Sequence, residues 1–217
     1  HSYSSAASDV YKRQVINPID LVDDYGVDPV RYYLMREMVL GHDSNFTLES
    51  FIQRYNSDLA NDFGNLFSRV TTLIKRNYDG IIPAPQSLSD LDLEIENKGK
   101  ELSKKTIVMI DDMRLNDAIE NIMVFIRTVN KYMEDSAPWK LVKKDKTAAG
   151  NVLYVASESL RLSAVLLSPI MPNRTKTLLE SLNVLNFAQY WGPLETGRRL
   201  RDQEALFPRL DSYHSKM

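Results

Sequence analysis

Between Leu48 and Arg76, apolar residues return every three or four positions, at Leu59, Phe63, Leu66, Val70, Leu73 and Ile74. That period predicts one long amphipathic helix with a single buried stripe. The same reading predicts a helix over about 91–113 that tolerates Gly99. A third should follow Asn116, with Ile119, Ile122, Ile126, Val129 and Met133 as its core face. It should stop near Ser136, because Pro138 disfavours helical geometry in the residue before it and has no amide hydrogen to give. Two more helices are expected over about 147–167, ending at Pro169, and about 173–182.

Upstream, Asn17-Pro18 opens a short helix to Tyr25, and Gly26 suits its C-terminal turn. Asp28-Pro29 reads as an N-cap followed by proline at the first helical position of a helix reaching about Met38. Asn45 to Glu49 looks like a further helix start, capped by Thr47. Residues 183–217 hold short turns, among them Trp191-Gly192-Pro193, and read as a strap packed on the helices. Residues 1–14 carry no sustained apolar period and read as an unstructured leader. Strand-period alternation is almost absent. The expected fold class is therefore all-α, a helical bundle over 51–182 preceded by a small helical region over 15–50.

Composition narrows the functional classes. In 217 residues, 43% hydrophobic and 26% charged content can bury a sizeable core. The net charge of −2 gives no global basic field, so any affinity for nucleic acid must rest on a local patch. There is no cysteine, which removes disulfides, thiolate metal sites and cysteine nucleophiles. His1, His42 and His214 are too scattered for a recognisable ligand motif, and no metal is assigned. No apolar run approaches the roughly 20 residues needed to cross a bilayer, so no membrane partner is expected. A reducing, cytoplasmic setting is compatible with this composition.

The candidate chemistry lies in two short strings. Asn65-Leu66-Phe67-Ser68-Arg69 puts an amide and a guanidinium one turn apart, on the flank of the apolar stripe. Ala137-Pro138-Trp139-Lys140 puts an indole at a helix exit, followed by Lys143, Lys144 and Lys146 with one aspartate among them. Amide, guanidinium and aromatic plate are the groups that hold unstacked RNA bases, and lysines beside them suit phosphates. Each feature also has a plain structural reading. Trp139 could be a core or hinge residue, Asn65 and Arg69 surface polars, and the lysines a solvated helix end. Lys75 and Arg76 could take phosphate or simply complement the C-terminal end of the helix dipole.

Ordered around these strings are the run from Val15 to Tyr32, the run from Tyr55 to Leu66, and Leu206-Phe207-Pro208-Arg209-Leu210. In that order they resemble the C-terminal half of methionyl-tRNA synthetases, over roughly residues 15–210. The resemblance implies that Asn65, Arg69, Pro138 and Trp139 face the anticodon of a methionine tRNA, with the tryptophan stacking on its first base. It implies that residues 15–50 form a connecting, stem-contact region in which Asp28 and Arg31 are structural, a cap and an ion partner. It also implies a parent ligase that uses ATP and Mg to attach methionine to tRNA, and a catalytic domain as partner of this bundle.

The family's His-Ile-Gly-His-like string does not occur here. The Lys-Met-Ser-Lys-Ser loop expected just before Val15 is replaced by a leader that looks foreign to the family. With no glycine-rich phosphate cradle either, no catalytic residue and no cofactor is assigned to this chain. Two alternatives stay open: a helical scaffold or protein-interaction bundle that binds no RNA, and the anticodon domain of another class I synthetase.

Overall fold

The computed structural model describes residues 17–38, 46–202 and 204–211. The leader expected over 1–14 and the end of the tail lie outside these residues. Helix α1 (Pro18–Tyr25) starts where expected, with the Asn17 side chain accepting from the Ile19 amide at 3.0 Å. It ends because Gly26 adopts φ +84°, a left-handed conformation that costs glycine little.

Helix α2 (Val27–Glu37) begins two residues earlier than the Asp28-Pro29 signal suggests, so Asp28 is not its N-cap. Asp28 is buried and caps another helix instead. Its carboxylate accepts from the Arg174 amide at 2.6 Å and from Asn173 Nδ2 at 3.1 Å, at the start of α9 (Pro172–Ser181), which has no capping side chain of its own. Arg31 is likewise not an ion partner: it donates to the carbonyls of Pro169 and Ile170 at 2.8 and 2.9 Å. Both residues clasp the 169–174 turn, satisfying donors and carbonyls left open at helix ends.

The long helix is a continuous rod with a change of pitch inside it. Helix α3 (Leu48–Arg54), capped by Thr47, passes into a π-helical stretch (Tyr55–Gly64) and then into α4 (Asn65–Asn77). Leu59, Phe63, Leu66, Val70 and Ile74 are fully buried along it, as their spacing requires. Asn56 exchanges two hydrogen bonds with the Leu210 backbone, at 2.8 and 2.9 Å, and Phe207 packs its ring near Phe63, so the chain's last described segment closes on the rod.

Helix α5 (Asp90–Asp111) opens with a reciprocal capping box between Ser89 and Asp92 and packs along α6 (Leu115–Ser136). The Tyr132 hydroxyl donates to Asp92 across that contact, and burial, then Asp92, raises the phenol's pKa. Helix α6 buries Ile119, Ile122, Ile126, Val129 and Met133 and stops at Ser136, where Ala137 turns left-handed at φ +42°. A single-turn helix α7 (Pro138–Leu141) follows, with proline at its first position.

Helix α8 (Lys146–Leu167) is the axis of the bundle. From Ala149 onward every residue but Tyr154 is buried, against α4, α5, α6, α7 and α9. Inside it lies an ion pair with no exposed surface. Arg161 binds both oxygens of Glu158 at 2.8 Å and also donates to the carbonyls of Ala188 and Tyr190 at 2.7 and 2.6 Å. The Gly192 amide completes Glu158 at 2.7 Å. The 188–192 strap is thereby tied to the axis, and the Trp191 ring between these anchors packs against α5 at Gly99. A Cβ at position 99 would sit 2.2 Å from its ring, which is why a glycine stands in the middle of α5. Among the described residues the one β-bridge pairs Ile81 with Arg199, and no helix is long and apolar enough to cross a membrane.

Candidate nucleic-acid interface

Two elements build the site. Helix α4 presents Arg69, and the left-handed turn at Ala137 throws α7 back so that Trp139 meets it. Pro138 is buried and anchors the turn, while Trp139 keeps 36% of its surface exposed. The Arg69 guanidinium carbon lies 5.3 Å from the centre of the indole, a cation–π contact worth about 0.5–1 kcal/mol at an exposed position. Glu134, in the last turn of α6, stands 3.7 Å from Arg69 Nη1, too far for a hydrogen bond. No acceptor among the described residues hydrogen-bonds to the Arg69 guanidinium. A planar fork of free donors thus rests against an open aromatic face.

Asn65 does not join that pair directly. It is exposed one turn before Arg69 and lines a groove of about 490 Å³ between the rod and the 204–209 segment. Counting about 100° per residue, Arg69 is rotated some 40° from Asn65 toward the buried stripe, and Ser68 some 60° the other way. Asn65 therefore forms a ridge, with the arginine–indole pair on one side and the groove on the other. The groove is also lined by Ser68, Thr72, Lys75 and, from the strap, Phe207 and Arg209.

The expected phosphate ligands are spread along two edges. Lys75 lines the groove and pairs with Asp202 at 2.7 Å. Arg76 is exposed at the last turn of α4. Lys140, Lys143 and Lys144 are exposed on α7 and the turn after it, beyond Trp139. Lys146 opens α8 with its ammonium 5.3 Å from the centre of the Tyr78 ring, and the Tyr78 hydroxyl donates to its carbonyl at 2.6 Å. The lysine-bearing turn accordingly lies against the C-terminal end of α4. Burial, then the Asp145 charge, raises the Tyr78 pKa, so the phenol stays neutral in that basic edge.

Sequence reasoning passed over Glu134 and Arg209. Glu134 could have been found, because Glu120, Arg127 and Glu134 recur every seven residues on α6 and so share the face turned to the rod. Arg209 could not, since nothing local says that the strap returns beside Asn65.

The fold and its matches place the chain among the class I tRNA synthetases. Residues 8–71 match the family described as tRNA synthetases class I (M). The free form of Mycobacterium tuberculosis methionyl-tRNA synthetase superimposes with a TM-score of 0.87 at 31% identity, over 93% of this chain and 42% of that one. Residues 82–212 match the anticodon binding domain of methionyl tRNA ligase. The chain belongs to that methionyl-tRNA ligase family. The methionine–tRNA ligase of Caldanaerobacter subterraneus is 40% identical over 92% of this chain, and that of Bacillus subtilis 34% over 93%. The chain spans about a third of the length of each, 32%.

Proposed function

We propose that this chain reads the anticodon of methionine tRNA as the RNA-binding portion of a methionine–tRNA ligase. The carrying observation is the Arg69 guanidinium, its donors unspent, lying against the half-open face of Trp139. A base pulled from the anticodon stack can lie on the indole while Arg69 donates to its edge, an arrangement suited to single-stranded RNA. Asn65, with an amide donor and an acceptor, reads a base edge from the ridge. The groove beyond it accepts the neighbouring nucleotide, with Lys75 and Arg209 near its phosphate. Lys140, Lys143, Lys144, Lys146 and Arg76 line the path of the backbone.

In this reading residues 15–50 orient the bundle toward the rest of the ligase, through the Asp28 and Arg31 clasp on the 169–174 turn. The described residues bring together neither a glycine-rich phosphate cradle nor a metal-ligating cluster, so they do not fit ATP and Mg. Activation of methionine belongs to the length of the relatives that this chain does not span.

The test is binding of a methionine-tRNA anticodon stem-loop to Trp139→Ala. Loss of one stacking contact should weaken affinity by about 1–3 kcal/mol with helicity unchanged. Tryptophan fluorescence of the parent chain should respond to that hairpin and not to one with an altered anticodon. Unchanged affinity in the variant removes the indole from the model, and no response to either hairpin favours a scaffold that binds no RNA.

A further inference from the structure

The π-helical stretch ends at Gly64, immediately before the helix that carries Asn65 and Arg69. In a π turn each amide reaches back five residues, and here the Asn65 amide reaches the carbonyl of Ala60 while also sharing that of Asp62. Wherever such a stretch gives way to α-geometry, it sets the rotation of everything downstream. Each residue that passes from π to α geometry there turns α4 by the difference between the two pitches, roughly 15°, so a junction displaced by a full turn would carry Arg69 off the indole.

The junction is held from α6. Asn130 Nδ2 donates to the Asp62 main-chain carbonyl at 2.9 Å. Arg127, one turn earlier, reaches the Asp62 carboxylate at 3.5 Å and Glu120 at 2.5 Å. Glu134, one turn later on the same face, stands 3.7 Å from Arg69 without a hydrogen bond. The Asn130 carbonyl oxygen is buried with no partner. An amide left half-unsatisfied is a net cost to folding, so its stability contribution alone gives a weak reason for an asparagine there. Among the described residues its side chain makes one hydrogen bond, to the carbonyl at the π-to-α junction.

We propose that Asn130 is a positioning residue for RNA reading: by holding the Asp62 carbonyl it fixes the end of the π-helical stretch and thereby the face on which Asn65 and Arg69 meet Trp139. The inference rests on the anticodon-reading function proposed above. Arg127 secures the same turn through the side chain, and Asn130 through the backbone. Asn130 itself touches no RNA.

The experiment compares affinities for a methionine-tRNA anticodon stem-loop and for the same hairpin with its first anticodon base changed. In Asn130→Leu, of similar shape but without the donor, the ratio of the two affinities should fall by about tenfold, the size of one misaligned hydrogen bond to a charged donor. Asn130→Ser, which fits without overpacking, should lower it in the same sense. Tyr132→Phe serves as control: it loses a buried hydrogen bond on the opposite, α5-facing side of α6, and should lower thermal stability while leaving the ratio alone. A ratio unchanged in both folded Asn130 variants, or reduced no more than in Tyr132→Phe, overturns the positioning role while leaving the anticodon reading intact. A parent chain with no preference between the hairpins overturns both.

Discussion

Arg161 and Arg69 are each set beside a glutamate and close to a tryptophan, yet one assembly is sealed and the other open. Arg161 spends its donors on both Glu158 oxygens and on two strap carbonyls, while the Trp191 ring packs against Gly99. Arg69 hydrogen-bonds to nothing among the described residues, and Trp139 keeps a third of its surface in water. The same residue types thus serve two ends. A saturated buried pair ties the strap to the bundle axis and has nothing left to offer a ligand. An unsaturated pair at the rim adds little to stability and keeps donors and an aromatic face available.

The comparison can be broken most forcefully at the sealed pair. Arg161→Ala leaves Glu158 charged and buried with one partner fewer, a loss of about 3–5 kcal/mol, or roughly 6–20 °C in melting temperature for a domain of this size. A thermal scan showing a fall of under about 2 °C would mean that water reaches the site and that the two pairs do not differ in kind. At the open pair the expected effect is smaller and opposite in sense. Glu134→Gln removes a negative charge beside Arg69 and the proposed path of the phosphates, so the stem-loop should bind up to about threefold tighter at low salt, fading at high salt. Weaker binding would show instead that Glu134 holds Arg69 in its reading pose.

Asp62 is the intermediate case and gives the smallest effect. Burial raises its carboxyl pKa above the ordinary value, partly offset by Arg127. A carboxyl with a raised folded pKa favours the protonated folded state. That contribution is present below the unfolded pKa and is lost as pH rises through the folded one. At neutral pH the Asp62 charge is therefore a net cost, and Asp62→Asn should melt about 1 °C higher at pH 7, the gain vanishing below about pH 4. Arg127 keeps Glu120 in the variant. A lower melting temperature at pH 7 would place Asp62 with the sealed pair, where the partner outweighs desolvation.

Much of the architecture was legible along the chain because helix signals are local. The stripe from Leu59 to Ile74, the Asn17 and Thr47 caps and the stop before Pro138 each depend on neighbours within a turn or two, and each appears where its pattern requires. Asp28 shows where a local signal stops. Its spacing before Pro29 marks an N-cap correctly as chemistry, yet the amides it caps belong to a helix nearly 150 residues away. The pitch change at Tyr55–Gly64 leaves no trace in an apolar period, because Leu59 and Phe63 remain buried in either pitch.

For the proposed site, the side-chain types at Asn65, Arg69 and Trp139 mark them as candidates along the chain, since amide, guanidinium and indole suit base recognition. Which of them meet was decided by packing. The α6–α7 turn delivers Trp139 to Arg69, while the returning strap draws the flank of Asn65 into a groove with Arg209. The chain alone determined the helices and the chemical repertoire, because both follow from local periodicity and side-chain identity. The tertiary structure alone decided which charges are sealed, which are free and which face of the rod looks outward. Those outcomes depend on contacts between segments far apart in sequence, whose energies no local pattern encodes.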